Sequence, residues 1–430
     1  NNDNLSLIEI SHRSKPFVEV MDKAISLVKE LLNVPKGYSV LFLQGGASME
    51  FLMVPLNLMK INGKAAYTNT GVWAKKAITE AKKLGDVAVL GDSSDTNFNC
   101  IKKGYEIPID SDYFHCTSNN TIYGTQMKEF PISPTLMVCD MSSDIFSRRV
   151  DVSKFDIIYA GAQKNMGPAG TTLVIVKDDI LGKTGRDIPT MLDYNTHISK
   201  GSMFNTPPVF PIYVSMLNLQ WLKNIGGVEA IEKLNQEKSD LLYAEIDRNP
   251  LFEGSAAKED RSNMNVCFLL KNIIKEDEFN TLWNAAGING IKGHRSVGGY
   301  RASMYNGLEV RSPFLSKPII EFSYLLSNKH KLQKSQTKLI LRELSAKILP
   351  KNISTRKKHG FAIPLAKMLR GPLKEKVEDT LLSTNYLISK YFNRSELESL
   401  LKNHFKGIDN RKPIWAIYML YKNTERLSKL

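Results

Sequence analysis

Lys164 stands alone among small residues in Tyr159-Ala160-Gly161-Ala162-Gln163-Lys164-Asn165-Met166-Gly167-Pro168-Ala169-Gly170, directly after the run Phe155–Tyr159. A lone lysine is ordinarily a solvated surface charge. Here alanine and glycine leave room for a bulky planar group beside the amine, and glycine admits close backbone approach. An amine at a strand end in such a pocket suits Schiff-base chemistry with a carbonyl-bearing cofactor. Asp140 closes the run Leu136–Cys139. A carboxylate at the C-terminal end of a strand faces the ligand crevice of an open α/β sheet. It reads either as the acid partner of a cofactor ring or as an N-cap for the next element. Gln44-Gly45-Gly46-Ala47-Ser48 comes after a strand and opens a helix, where free N–H groups and the positive dipole end suit a phosphate. Many glycine-rich turns of this kind bind nothing. Trp73 lies early in a helix, as core or as a platform for a ring. Two His-Arg pairs, His12-Arg13 and His294-Arg295, and then Arg301 add forked cations suited to carboxylate or phosphate.

These side chains need a scaffold. Ser39–Leu43, Val87–Leu90, Leu136–Cys139, Asp156–Ala160 and Thr172–Val176 read as buried strands, with helices over Met49–Lys60 and Trp73–Leu84 between them. That alternation predicts a parallel, doubly wound α/β sheet. A long amphipathic pattern over 228–247 stops before Asn249-Pro250. Ser262–Lys271 then reads as a strand and Glu276–Ala286 as a helix, giving a smaller α+β domain. Beyond 308 the pattern turns helical, with Leu/Ile periodicity through 336–349, 373–382 and 394–406. The expected division is a large domain over 1–245, with a substrate-binding segment at 8–17, a small domain over 246–307 and a helical tail over 308–430.

Composition sets outer bounds. The length suits two or three domains with a sizeable core. No apolar run approaches the roughly 20 residues that span a bilayer, and the polar start is not a signal peptide. Four cysteines, Cys100, Cys116, Cys139 and Cys267, lack metal or disulfide spacing and read as reduced thiols of a cytoplasmic protein. The chain starts at Asn1 without methionine, as a fragment would. Its net charge of +14 is uneven: 25 Lys+Arg against 10 Asp+Glu over 309–430, but 33 against 34 before that. A boundary near 308 is the simplest reading. A basic module can contact nucleic acid or anionic lipid. Charges interleaved with apolar residues read instead as the solvated faces of amphipathic helices, so no nucleic-acid partner is expected.

From about Leu5 to Asn306 these motifs resemble the phosphoserine aminotransferases, pyridoxal-phosphate (PLP) enzymes of fold type I. The resemblance is carried by Phe42–Ser48, Thr70–Lys76, Asn119–Ile122, Cys139–Arg148, Tyr159–Gly170, Phe204–Pro208, Ser11–Phe17 and Gly293–Arg301. It implies that Lys164 holds PLP and Asp140 faces its pyridine nitrogen. It puts the Ala47 and Ser48 amides and Gln163 on the PLP phosphate, Trp73 against the ring and Thr121 on the phenolic oxygen. Asn205 and Thr206 would reach the phosphate of a neighbouring subunit, which implies a homodimer with shared active sites. His12, Arg13, His294 and Arg295 would hold the substrate phosphate or distal carboxylate, and Arg301 the α-carboxylate. The implied reaction moves the amino group of glutamate to 3-phosphohydroxypyruvate, giving O-phosphoserine and 2-oxoglutarate. An arginine found in the phosphate loop of some members is absent here, as are the family's first few tens of residues.

The family's closing helix is replaced after Asn306. Leu308–Leu315, Lys338–Pro350, Arg356–Leu365 and Met368–Leu373 resemble the C-terminal end of the synthetase domain of glutamine-hydrolysing asparagine synthetase. Ser316 stands where that family has an aspartate, and Lys358 aligns with a lysine that contacts ATP phosphates or the adenylate. These 430 residues contain no Ser-Gly-Gly-x-Asp-Ser pyrophosphate loop, so the tail lacks its family's chemistry. Three readings of the junction stand: two sequences joined by assembly or design, a natural fusion, or a half-enzyme completed by another chain. The alternative functions are an asparagine-synthetase-like fragment and a non-catalytic basic binding protein. Trp415, Tyr418 and Met419 lack their family's partner and are expected to pack on the aminotransferase body or to invite association.

Overall fold

Val-, Ile- and Leu-rich strands with both faces buried build the centre of the larger unit, as parallel sheets require. The computed structural model describes residues 10–272, 275–288, 290–294, 297–305, 332–333, 336–337, 343–344, 346–347, 365–382 and 392–427. Two compact units result, Asn1–Pro313 and Phe314–Leu430.

In the first unit, among the described residues, seven strands form one sheet: β1 (Tyr38–Leu43), β2 (Lys64–Thr68), β3 (Asp86–Leu90), β4 (Tyr113–Thr117), β7 (Leu136–Asp140), β8 (Ile157–Gly161) and β9 (Thr172–Lys177). Two short strands, β5 (Asn119–Asn120) and β6 (Thr125–Gln126), pair beside it. The order is β1-β9-β8-β7-β4-β2-β3, and β9 runs antiparallel to both its neighbours while the remaining pairs are parallel. β2 and β4 escape the sequence reading. Their alanines, His115 and threonines hide the apolar run that marks a buried strand, although both sit inside the sheet.

Helices cover both faces. α1 (Lys15–Leu31) starts with Pro16 in its first turn, where a missing N–H costs nothing, and buries Phe17, Met21, Ala24, Leu27 and Val28. That stripe meets α5 (Val209–Asn224) through Ile212, Met216, Leu219 and Leu222. On the other face lie α2 (Gly46–Leu58), α3 (Val72–Ala81) and α4 (Tyr194–Ser199). α6 (Gly227–Arg248) leads into the antiparallel sheet β10 (Phe252–Gly254), β11 (Asn265–Leu270) and β12 (Tyr300–Ser303), with α7 (Glu276–Ala285) packed by Trp283 and Phe279 against Phe268 and Tyr300.

The second unit has its own core. Gln336–Thr337, read from periodicity as helix, pairs instead with Leu332–Gln333 as β14 and β13; the two-residue spacing between them is a hairpin length. α8 (Leu365–Arg370), α9 (Lys374–Leu382), α10 (Arg394–Phe405) and α11 (Arg411–Leu427) enclose Leu369, Val377, Leu381, Leu397, Leu401, Ile414 and Tyr418. Asn393 caps α10 by accepting from the Ser395 amide at 3.0 Å. The expectation of unpartnered apolar faces is corrected here. Tyr418 is buried in this bundle, Trp415 stacks on it at 5.6 Å, and Met419 alone of the three stays outside the core, 37% exposed. Such a core is hidden in sequence because each helix contributes only one or two of its residues. Leu308–Leu315, Ser316 and Lys358 lie outside the described residues.

Leu401→Ala should cost the helical bundle about 2–5 kcal/mol, the usual loss for a buried leucine. Hydrogen exchange would show protection falling in α8–α11 while the seven-stranded sheet keeps its own.

Candidate active site

The parallel strands β4, β7 and β8 end side by side, with Thr117 in register with Asp140, and Asp140 with Tyr159. The segments leaving these strands help enclose one cavity of about 170 Å³, lined by Gly46, Ala47, Ser48, Trp73, Thr117, Asn119, Thr121, Asp140, Ser142, Ser143, Gln163 and Lys164. Crevices in open α/β sheets lie at such strand ends. Chain order alone does not bring the turn after β1, the start of α3 and the loop after β8 together; the sheet does.

Lys164 reaches in from the loop after β8, and its Nζ donates to Thr121 Oγ1 at 2.7 Å. Burial drives the amine down to about 8, Arg301 adds to the fall, and Asp140 and Asp144 oppose it. Asp140, 4% exposed, accepts from the Ser142 amide at 2.9 Å. Burial raises its carboxyl above the usual range, and the Ser142 bonds and Lys164 draw it back. No helix starts directly after Asp140, but its bond to the Ser142 amide caps the turn that does, so the capping reading holds for that turn. Asp144 lies one turn beyond and is buried, accepting from Ser118 Oγ, from Gln126 Nε2 at 3.1 Å and from Arg148 Nη2 at 3.1 Å.

The floor is the N-terminus of α2. Gly45 caps it at φ +94°, a left-handed conformation natural to glycine. The Gly46, Ala47 and Ser48 amides occupy the first turn, where no carbonyl four residues back exists to receive them. Gly161, ending β8, keeps the space before them open: a Cβ there would sit 3.0 Å from the Ala47 nitrogen. Trp73 packs partly on the core and also lines the cavity, with Lys76 Nζ 4.5 Å from its ring centroid.

The remaining candidates divide. Arg301, on β12, does not line the cavity but adjoins it, donating from Nη1 to the carbonyl of the lining residue Thr121 at 3.2 Å. Asn205 and Thr206 do not line the cavity. Asn205 borders a separate one with Gln44 and Met49, and the Thr206 carbonyl accepts from Gln44 Nε2 at 2.6 Å. His12, Arg13 and His294 are likewise absent from the cavity lining, and Arg295 lies outside the described residues. Among the described residues, His12 Nε2 is buried without a hydrogen-bond partner.

Several residues were not singled out by sequence. Ser142 and Ser143 come directly after Asp140, so proximity to it was the available signal. Asn119 donates to Ser143 Oγ and to Asn265 Oδ1, each at 2.8 Å. Tyr305, whose ring centroid lies 5.8 Å from Lys164 Nζ, arrives from the far end of the smaller sheet with no local signature.

Residues 2–310 match the family model of the class-V aminotransferases, and residues 294–423 match that of asparagine synthase. A phosphoserine aminotransferase from Flavobacterium psychrophilum is 66% identical over 313 residues, 73% of this chain and 88% of that protein. One from Bacteroides thetaiotaomicron is 60% identical over the same shares of both. Among solved structures, the phosphoserine aminotransferase of Bacillus circulans subsp. alkalophilus superposes with a TM-score of 0.68 at 42% identity, covering 70% of this chain and 85% of that one. The PLP-bound phosphoserine aminotransferase of Trichomonas vaginalis gives 0.64 at 34%, covering 70% and 87%. Through the unit that carries Lys164 and Asp140, this chain therefore belongs to the class-V aminotransferases, PLP-dependent transaminases, among the phosphoserine aminotransferases.

Proposed function

We propose that the protein transfers the amino group of glutamate to 3-phosphohydroxypyruvate, giving O-phosphoserine and 2-oxoglutarate. The observation that carries this reading is one buried amine and one buried carboxylate, Lys164 and Asp140, lining the same cavity above a helix N-terminus. The lining fits PLP: an amine for the aldehyde, a carboxylate for the ring nitrogen, an indole beside the space, and open first-turn amides for the phosphate. Bound there, PLP supplies a carbonyl for amines and a ring that spreads negative charge from the substrate carbon.

The chain's own groups then have distinct tasks. Lys164, with its amine near 8, is poised to take the proton from substrate Cα at neutral pH. Asp140 would be the counter-charge for a protonated ring nitrogen, its own charge favoured by the Ser142 bonds and Lys164 against the burial that opposes it. Ala47, Ser48 and Gln163 are assigned to the cofactor phosphate, Trp73 to the ring and Thr121 to its phenolic oxygen. Arg301 is assigned to the substrate α-carboxylate, its planar fork already steadied by the Thr121 carbonyl. His12, Arg13, His294 and Arg295 are assigned to the distal phosphate or carboxylate.

A homodimer suits the placement of Asn205 and Thr206 outside their own cavity, where they are free to serve a neighbour's. Phe210, Leu217 and Trp221, spaced seven and four residues apart on one face of α5, are each more than 40% exposed. Covering such a face is what a second copy would do. Four free cysteines suit the reducing cytoplasm. No helix among the described residues is long and apolar enough to cross a membrane. We divide the chain functionally into a PLP-binding domain to about 245, a small domain to 307 and a non-catalytic helical appendage thereafter.

Purified Lys164→Ala protein should lack the visible absorbance of a lysine-linked cofactor and its change on adding glutamate; colour that persists overturns the assignment. Gly161→Ala should crowd the cup by about 1–3 kcal/mol, the usual cost of an added methyl in a filled space, and weaken PLP binding about tenfold in equilibrium dialysis. Unchanged affinity would move the phosphate elsewhere.

A further inference from the structure

Tyr194 is held at two points on α2, the helix whose first turn forms the cup. Its amide donates to Asn57 Oδ1 at 3.1 Å, and its Oη donates to Glu50 Oε2 at 2.5 Å. Asn57 Nδ2 donates in turn to the Leu192 carbonyl at 2.7 Å. The segment entering α4 is thus tied to α2 at positions two turns apart. Glu50 is fully buried one turn beyond Gly46, and its second oxygen, Oε1, has no hydrogen-bond partner among the described residues. The titratable groups facing it are Tyr194 on α4, Tyr159 on β8 and Asp140 at the end of β7, with Tyr67 on β2 near both tyrosines. α3 adds Ala77, Ile78 and Ala81 to the same core, and β1 adds Leu41 and Leu43. None of these groups is a cation. A buried carboxylate with one donor and no counter-charge is costly, whereas a neutral acid strands only one polar atom.

We infer that Glu50 is a positioning residue for the cofactor phosphate: as a neutral acid bonded to Tyr194 it braces the cup helix, and its ionisation weakens the cup's hold. The inference rests on the phosphate lying at the Gly46–Ser48 amides. A charge on Glu50 would stand one turn behind those amides, where it repels a bound phosphate and offsets the positive end of the helix. Burial raises the carboxyl to about 8; the Tyr194 bond, which favours the charged form, opposes the rise, and Asp140 adds to it. The sign for stability follows. A carboxyl that holds its proton more tightly when folded subtracts stability as pH rises from its ordinary value of 4.5 to about 8, and nothing further above that.

The test uses the whole 430-residue chain freed of PLP. The probe is pyridoxine 5′-phosphate, which has the ring and phosphate but no aldehyde, titrated calorimetrically between about pH 6 and 9.5. Glu50→Gln keeps an acceptor for Tyr194 and cannot ionise. Its affinity should match that of the unsubstituted chain below about pH 7 and exceed it about fivefold at pH 9, as a one-unit shift between free and bound states gives. Tyr194→Phe should move the onset of the loss to higher pH, because the charged form loses its donor. Thermal unfolding without the probe is a second readout. Glu50→Gln should gain on the unsubstituted protein from about pH 5 to 8 and keep a constant lead above that. An affinity ratio that does not change with pH overturns the role at the cup, and parallel unfolding profiles overturn the neutral acid. Binding of pyridoxine 5′-phosphate no tighter than that of pyridoxine overturns the phosphate assignment and this inference together.

Discussion

A positive amine and a negative carboxylate buried in one cavity constrain the rest of this structure. Either charge alone in that place would be costly to desolvate, and removing one partner strands the other. The surroundings show how the pair is tolerated. Asp140 is anchored by the Ser142 amide, and Lys164 has a hydroxyl acceptor in Thr121. The balance leaves the amine near 8 rather than fully charged. An amine that readily gives up its proton at neutral pH is what nucleophilic and base chemistry need, so the cost of burial is also the source of reactivity.

The sheet makes this arrangement available. Parallel strands place their C-terminal ends on one edge, and their connections supply chemistry from distant parts of the chain. β1 delivers the cup, β4 leads to Asn119 and Thr121, β7 ends in Asp140 and β8 leads to Lys164. β9, reversed between β1 and β8, sends the chain away from that edge directly after the lysine loop. A second polar layer holds the first: Asp144 ties Ser118, Gln126 and Arg148 together, and Asn119 joins Ser143 to the smaller sheet through Asn265. Rigid support of this kind keeps reacting groups within the small tolerances that catalysis demands.

The C-terminal residues obey a different logic. Their seven-residue apolar core is shared among four short helices, and it accounts for aromatic residues that would otherwise want a partner. The two family matches overlap over residues 294–310, a stretch that includes Arg301 and Tyr305. The end of the aminotransferase site and the start of the other resemblance thus share residues.

Local signals in the sequence marked Lys164, Asp140, Trp73 and the Gly45–Ser48 turn, each in a short motif at a strand end or helix start, and the family resemblance added Thr121; residues from all of these line one cavity. Local signals were enough for the helices over 228–247 and 276–286 and for strands made of continuous Val, Ile and Leu. Strands built from alanine, tyrosine, histidine and threonine, β2 and β4, became strands only through burial between neighbours. Asn265 and Tyr305 were invisible for a related reason: their hydrogen bonds join side chains 40 and 146 residues apart, and no spacing along the chain encodes such a meeting. The same holds for the helical bundle's core. Periodicity marks an apolar face, but which face meets which is settled only when the helices pack.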